Sequence, residues 1–354
     1  MIDLKNYICS LPFTNMELHH KENYMCCPSW LVKPLKGQVP LSTLWNSEES
    51  NDIRKSIMDG SYRYCDKTQC PFLSKLINLG DTSGGPIFQK NSLPPYIIEN
   101  YNHETGQMTT GPSIIQMSFD RTCNLKCPSC RVSLYVADKK KIEEVNLTIK
   151  EIEETFAKDL VWIYVTGSGD PFVSVGFRNF LRNFDSKKYP KLTNIHLHTN
   201  ATMWDKEMWK TMKPIHRYVK TCEISIDAAT KETYETKTRI GGNWDVLIKN
   251  LEYINTIPNL TYIKTSFVVQ SDNYKEMLPF LQLMKSIFGK KVKVFFGKVN
   301  NWGTYTDSEF KQIKVWDESH ENYNDFVEEF NKVGLDYQVF HNMQEFVRLN
   351  KTFI

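Results

Sequence analysis

The sequence predicts an α/β protein built on a parallel sheet, and two observations carry that prediction. Short apolar, β-branched runs recur from residue 113 onward, with segments of helical apolar spacing between them. Each run also opens into small, polar or metal-binding residues, as parallel strands do at the C-terminal end where ligands sit. The runs are "SIIQMSF" (113–119), "LVWIYV" (160–165), "NIHLH" (194–198), "CEISI" (222–226), "YIKTSFVV" (262–269) and "VKVFF" (292–296). In the same order they lead into "DRTCNLKC", "TGSGDP", "TNAT", "DAAT", "QSDN" and "GKVNN". Six strand–helix alternations with right-handed crossovers make either an open doubly wound sheet or an incomplete barrel of the eight-stranded kind.

Ahead of these units, residues 1–95 read as a small cysteine-bearing region. "FTNMELHHKENYMCC" has the layout of a hairpin, with His19 and His20 solvated at its tip. "SEESNDIRKSIMDG" reads as a helix, because Ile53 and Ile57 are four apart and Gly60 suits a helix end. The stretches "GDTSGGP", "SLPPY" and "TTGP" mark 80–112 as loop, with 96–112 a linker into the core. Within the core (113–300), Thr148 and Glu151 form a capping-box pattern that predicts a helix start before "IEETFAKDL". Lys139, Lys140 and Lys141 then fall on a solvated loop. "VGFRNFLRNF", "NWDVLIKNLEYI" and "YKEMLPFLQLMKSIF" are further helices. Residues 301–354 form a C-terminal α/β tail: a helix with Phe326 and Phe330 four apart, then "LDYQVF" and a last amphipathic piece, capping the open side of the barrel.

Charge and targeting exclude several functions. The 44 basic and 41 acidic residues leave a net charge of +3, too balanced for a nucleic-acid or anionic-membrane partner. No apolar run reaches the roughly 18 residues of a bilayer span, and "MIDLKNYICSLPF" lacks the layout of a secretion signal. A cytoplasmic, reducing location is expected, where clustered cysteines bind metal more readily than they pair.

"CNLKCPSC" places Cys123, Cys127 and Cys130 within eight positions. Structural zinc takes four ligands, usually as two close pairs, and no second pair follows in the core. A cubane iron–sulfur cluster accepts closely spaced thiolates from one loop. With three of them, one iron keeps the open position that a catalytic metal needs.

This CxxxCxxC loop after the first strand resembles that of the radical S-adenosylmethionine (radical SAM) enzymes, over about 113–300. The resemblance implies a partial (β/α)6 TIM-like barrel with a [4Fe–4S] cluster on Cys123, Cys127 and Cys130. It implies S-adenosylmethionine chelated at the open iron and cleaved by one electron to a 5′-deoxyadenosyl radical that takes hydrogen from a substrate. A reductase such as flavodoxin or ferredoxin would supply the electron. Gly167, Ser168, Gly169 and Asp170 of "TGSGDP" resemble the family's Gly-Gly-Glu segment at the cofactor's amino group. Asn200 matches a residue near the ribose, and Ser225 and Asp227 of "SID" match contacts to ribose hydroxyls or methionine. Arg239 matches the arginine that pairs with the cofactor carboxylate, and Gln270 and Asn273 fall among further cofactor contacts. The chain departs from the pattern at Asp170, where Glu is commoner, and at Ser129, where an aromatic often precedes the third cysteine.

The amino-terminal cysteines resemble those of the SPASM/twitch auxiliary-cluster domains, here ahead of the barrel. That resemblance implies one auxiliary iron–sulfur cluster on Cys9, one of Cys26 and Cys27, Cys65 and Cys70. The Cx4C pair and the adjacent cysteines also permit a four-cysteine zinc site. Family members with auxiliary clusters often modify peptides or proteins, and others oxidise or rearrange small molecules. Peptide or protein modification is the first expectation and a small-molecule substrate the second. The rival class is a non-catalytic iron–sulfur or zinc-binding electron-transfer protein. Cys222 shares a strand face with Ile224 and Ile226, opposite Glu223, Ser225 and Asp227, so core packing is expected of it. Trp204, Trp244 and Trp302 are also expected to pack.

Overall fold

The computed structural model describes residues 2–36 and 39–346. Two compact units emerge. The first holds the residues up to Asp120, Lys139–Ser168 and Phe184–Ile195; the second holds Arg121–Asp138, Gly169–Asn183 and the residues from His196 onward.

The first unit runs β1 (Tyr7–Cys9), α1 (Leu11–Thr14), β2 (Asn15–His19), β3 (Asn23–Tyr24), α2 (Leu41–Trp45), α3 (Glu48–Met58), α4 (Pro71–Leu79), β4 (Ile87–Gln89), α5 (Pro95–Asn100), β5 (Ile114–Ser118), α6 (Lys139–Phe156) and β6 (Trp162–Val165). Strands β6, β5 and β2 lie side by side in parallel, and β3 turns back against β2. The hairpin expected near residue 20 is therefore real, and its first strand joins the core sheet with Leu18 opposite Met117. His19 ends β2 rather than standing free in solvent: its Nε2 lies 3.3 Å from Glu17, and its ring meets Tyr24 edge-on. Residues 80–112, read as loop and linker, include β4 and α5.

Helix α3 starts as its sequence demands. The Ser47 side chain accepts from the Ser50 amide, and Glu48 and Glu49 sit at the positive end of the dipole. Gly60 follows at φ +76°, where a Cβ would come within 2.6 Å of the Lys5 Cα. Arg54, fully buried, donates to the carbonyls of Pro12 and Trp45 and to the Asn46 and Asn51 side chains. Those bonds tie α1, α2 and α3 together. Helix α6 corrects the capping-box expectation. It starts at Lys139, so Lys139–Lys141 form its first turn, and Thr148 sits inside it with Oγ1 donating to the Glu144 carbonyl at 3.0 Å. The buried face of Val145, Ile149, Ile152 and Phe156 begins before Thr148, and tertiary burial overrides a four-residue cap pattern.

The second unit runs α7 (Val175–Arg182), β7 (Asn194–Thr199) from His196 on, α8 (Lys206–Lys210), β8 (Thr221–Ser225), α9 (Lys231–Thr233), α10 (Trp244–Asn255), β9 (Tyr262–Val269), α11 (Met277–Phe288), β10 (Val292–Lys298), α12 (Asp307–Ile313), α13 (Tyr323–Asn331) and β11 (Val339–His341). Strands β7, β8, β9, β10 and β11 are parallel neighbours in that order. The α/β class with a mostly parallel sheet thus holds. The tail's "LDYQVF" supplies β11, which covers the free edge of β10 by pairing with it. The last amphipathic piece falls mostly beyond residue 346, outside the described residues.

Side-chain alternation gives this sheet two chemically distinct faces. On one, Phe267 and Phe296 pack against Phe280 of α11, and Cys222 and Ile224 are fully buried, as expected. On the other, His198, Glu223 and Lys264 stand opposite one another in register. Trp204 packs on Phe172 at 5.0 Å, whereas Trp302 is exposed. Among the described residues no helix is long and apolar enough to cross a membrane.

His196 on β7 is 7% exposed, with Nδ1 2.7 Å from Thr221 Oγ1. Burial pushes its pKa from 6.5 down to about 3. The unfolded chain therefore binds a proton that the folded ring refuses, so stability is complete above the unfolded value and falls as pH drops toward 3. Between pH 7.5 and 5.5 the expected loss is about 1.4 kcal/mol. It is measured as the part of the fall in the urea midpoint that His196→Gln removes, the buried His198 and His341 contributing the rest.

Candidate metal centre

The three cysteines lie on a loop whose backbone is closed by its own bonds. The Cys123 amide donates to the Tyr135 carbonyl at 3.2 Å, and the Cys130 and Arg131 amides both donate to the Cys127 carbonyl at 3.0 Å. Thr122 ties the loop at both ends: its carbonyl accepts from the Asp170 amide, and its Oγ1 accepts from the Ala137 amide. Between the first two cysteines, the Lys126 amide donates to the Ile240 carbonyl at 2.9 Å, strapping the loop to the "RIGG" segment. Cys123 and Cys127 are 7% and 5% exposed, while Cys130 is open to solvent. Burial pushes the Cys123 thiol up to about 11, and burial raises Cys127 although Arg239 beside it pulls the other way. Protonated thiols in such surroundings lose their protons on metal binding, which couples affinity to pH.

Among the described residues each sulfur faces a side-chain N–H donor. Asn200 Nδ2 stands 3.5 Å from Cys123 Sγ, Arg239 Nη1 3.5 Å from Cys127 Sγ, and Arg131 Nη2 3.5 Å from Cys130 Sγ. Asn200 is further fixed by Asn124, whose Oδ1 accepts from Asn200 Nδ2 at 3.0 Å. Arg239 forms an ion pair with Asp227 at 2.7 Å.

The structure gathers Asp170, Asn200, Asp227 and Arg239 around the cysteine loop, each with protein partners. Asp170 is almost fully buried, and both its oxygens are engaged: Oδ1 accepts from the Phe172 amide, Oδ2 from the Asn200 amide and Thr199 Oγ1. Asn273 donates to the Asp227 and Val268 carbonyls and accepts from the Gln270 amide, so it shapes the turn after β9. Gln270 Oε1 is buried and has no hydrogen-bond partner among the described residues. Ser225 Oγ meets His198 Nε2 at 2.9 Å. Gly167 and Ser168 belong to the first unit, where Ser168 Oγ donates to the Ser118 carbonyl; Gly169 begins the next segment of the second.

Sequence reasoning missed Asn124, Arg131 and Glu276. Glu276 gathers the Ala229 and Thr230 amides and the Thr230 and Thr233 hydroxyls, fixing the turn after β8. It also missed the polar array in which Glu223 accepts from Ser266 and pairs with Lys264 at 2.9 Å. The alternation of polar residues along β8 and β9 was the available signal. Backbone strain marks two turns of the second unit: Ala201 and Asp227 have φ of +61° and +62°, each two residues past β7 and β8. Non-glycine residues held there collect at functional sites.

In the first unit, Cys9, Cys26, Cys65 and Cys70 line one small, apolar cavity with Trp30 and Tyr62; Cys27 does not. Trp30 Nε1 donates to Cys26 Sγ at 3.1 Å. Cys70 precedes α4, whose first amides favour its thiolate while burial opposes it. Among the described residues, no three Cys, His, Asp or Glu side chains converge tightly enough to hold a single metal ion.

Three thiols on one loop, with Asn200, Asp227 and Arg239 brought to it from neighbouring turns, make a candidate metal centre in an α/β protein. Residues 117–284 match the family described as the Radical SAM superfamily. That stretch, a little under half of the chain, is a radical SAM domain, and such a domain implies a [4Fe–4S] cluster and S-adenosylmethionine. Among solved structures it is similar to Streptococcus suis SuiB bound to precursor peptide SuiA, at 15% identity and a TM-score of 0.42, over 75% of this chain and 63% of that one. Native anSMEcpe with bound AdoMet and Cp18Cys peptide matches at 16% identity and 0.41, over 62% and 58%. TYW1 with a lysine-pyruvate adduct matches at 12% and 0.38, over 69% and 79%. No curated protein matches the chain.

Proposed function

We propose that this chain is a radical SAM enzyme holding its catalytic [4Fe–4S] cluster on Cys123, Cys127 and Cys130, with a second iron–sulfur cluster on Cys9, Cys26, Cys65 and Cys70. The observation that carries the reading is a loop of three thiols, each backed by one N–H donor from elsewhere on the loop or on a neighbouring turn. When bound, the catalytic cluster supplies the electron that cleaves S-adenosylmethionine, with 5′-deoxyadenosine the product once substrate hydrogen is taken.

The chain's own residues orient and shield. Asn200 and Arg239 fix two buried sulfurs, and Asp227 holds Arg239. The partnerless Oε1 of Gln270 is an acceptor fitted to a donor on the cofactor, and an unmet buried acceptor of this kind is costly without one. Ser225, Asp227 and Arg239 are the further cofactor contacts in this reading. For the amino-terminal site, zinc–sulfur bonds of about 2.3 Å would draw four thiolates onto one point. A cubane cluster instead takes thiolates on separate irons, and the four cysteines are arranged around one shared cavity. Peptide or protein modification is the proposed substrate class, supported by the resemblance of residues 1–95 to auxiliary-cluster domains.

The test is anaerobic reconstitution with iron and sulfide, followed by dithionite and S-adenosylmethionine and assay of 5′-deoxyadenosine. Wild type is expected to form it and Cys127→Ala to fall to background. A fully loaded wild type that makes no more than Cys127→Ala ends the catalytic reading.

A further inference from the structure

We propose that Arg239, locked in place by Asp227, is a positioning residue that sets the reduction potential of the cluster on Cys123, Cys127 and Cys130, making it easier to reduce. The inference rests on the cluster assignment above and concerns what the chain does to that cluster before any cofactor binds.

Arg239 has little freedom. It closes a single π turn (Tyr234–Thr238), with its amide donating to the Tyr234 carbonyl at 2.8 Å. Its carbonyl then accepts from the Gly242 amide at 2.8 Å. A side chain at 242 would place Cβ 2.5 Å from the Tyr234 ring and 2.9 Å from the Arg239 carbonyl oxygen, so the turn requires glycine there. The Lys126–Ile240 strap holds this turn against the loop between Cys123 and Cys127. The side chain is 11% exposed and its guanidinium is held on three sides: Nη2 on Asp227 at 2.7 Å, Nε on the Ile226 carbonyl at 3.4 Å, and Nη1 on Cys127 Sγ at 3.5 Å.

Asp227 is fixed just as firmly. It sits at φ +62°, its Oδ1 accepts from the Val268 amide at 2.8 Å, and its carbonyl accepts from Asn273 Nδ2 at 2.9 Å. A strained backbone, a turn from β9 and an ion pair therefore converge on one outcome, a guanidinium N–H aimed at a buried sulfur. The planar fork of arginine is what allows one edge to hold the carboxylate while another reaches the sulfur.

Hydrogen bonds to cluster sulfurs and nearby positive charge stabilise the reduced state, which carries one more negative charge, and raise the potential. Of the three donors, Asn200 is neutral and Arg131 serves the solvent-exposed Cys130. Arg239 is the charged donor at a buried sulfur, where screening is weakest. Asp227 contributes an opposing charge, which gives the test a sign. Removing that charge with Arg239 still in place would raise the potential; releasing Arg239 from its position lowers it.

The experiment is an EPR-monitored anaerobic redox titration with dithionite and no S-adenosylmethionine, each oxidised cluster taking one electron. It uses the full-length chain in a Cys65→Ala background, so that one cluster titrates. Arg239→Gln is expected to lower the reduced-to-oxidised ratio at fixed potential about tenfold, a shift of about 59 mV to the negative. Arg239→Lys keeps the charge without the fork and recovers only part of this. Asp227→Asn shifts in the same direction as Arg239→Gln, but in the Arg239→Gln background it no longer lowers the potential, because no guanidinium is left to release. An assembled cluster with unchanged potential in Arg239→Gln overturns the proposal, and a positive shift in Asp227→Asn overturns the positioning role of Asp227. Absence of any cluster from the Cys65→Ala parent, by iron content and EPR, instead sinks the cluster assignment.

Discussion

Alanine at Cys26 is expected to cut the iron content of the reconstituted chain from about eight atoms to about four, while alanine at Cys27 leaves it unchanged. The two cysteines are adjacent, so sequence alone assigns them equal standing. Geometry separates them. Cys26 lines the cavity with Cys9, Cys65 and Cys70, and Trp30 donates to its sulfur. Cys27 contributes its carbonyl, which accepts from the Trp30 and Leu31 amides and so builds the turn that carries Trp30 over the cavity. Leu31 in turn bridges to Cys65, which joins the two loops that bring ligands. Metal analysis of the two variants decides the matter. Loss of iron in Cys27→Ala with retention in Cys26→Ala would reverse the assignment. About four irons plus one zinc in the wild type would replace the second cluster with a zinc site.

What the sequence revealed and what it hid follow from the range of the interactions involved. The parallel strands were legible because each is a short β-branched run with a polar exit, a pattern contained in about ten residues. The start of α6 was misread because a cap is a four-residue signal, whereas burial of Val145 and Ile149 depends on what lies beneath them. Strand β2 was hidden as a member of the core sheet: "NMEL" has no alternation, and its partner β5 lies about a hundred residues away, with Glu17 opposite Gln116. The same contrast holds in the site. The three cysteines announce themselves by spacing. The donors that face their sulfurs do not, since Arg239 reaches Cys127 across 112 residues and Asn200 reaches Cys123 across 77. Motif matching placed Asn200 and Arg239 near the cofactor; only packing shows that they also face the sulfurs.

Replacement of Asp170 is expected to damage the fold more than its place in a cofactor motif would suggest. The carboxylate is almost fully buried and satisfies three donors, the Phe172 and Asn200 amides and Thr199 Oγ1. Two of these are backbone N–H groups that have no freedom to turn elsewhere. Asp170→Ala strands both, at about 4 kcal/mol in total for two buried unsatisfied donors. Asp170→Asn retains an acceptor for one amide, and the Thr199 hydroxyl can rotate to accept from the new NH2 group. That leaves one orphan and a loss of about 2 kcal/mol. Urea unfolding of the two variants measures the difference. The consequence reaches the metal centre, because the Asn200 amide that Asp170 anchors belongs to the residue whose side chain faces Cys123. A loss of less than about 1 kcal/mol in Asp170→Ala, well below the range for two orphaned amides, would contradict this account. If such a variant also failed to cleave S-adenosylmethionine, the carboxylate would serve the cofactor directly, as the Gly-Gly-Glu resemblance implies. A graded loss from Asn to Ala assigns Asp170 to holding the end of β7 in place, and leaves the cofactor's amino group to other acceptors such as Gln270.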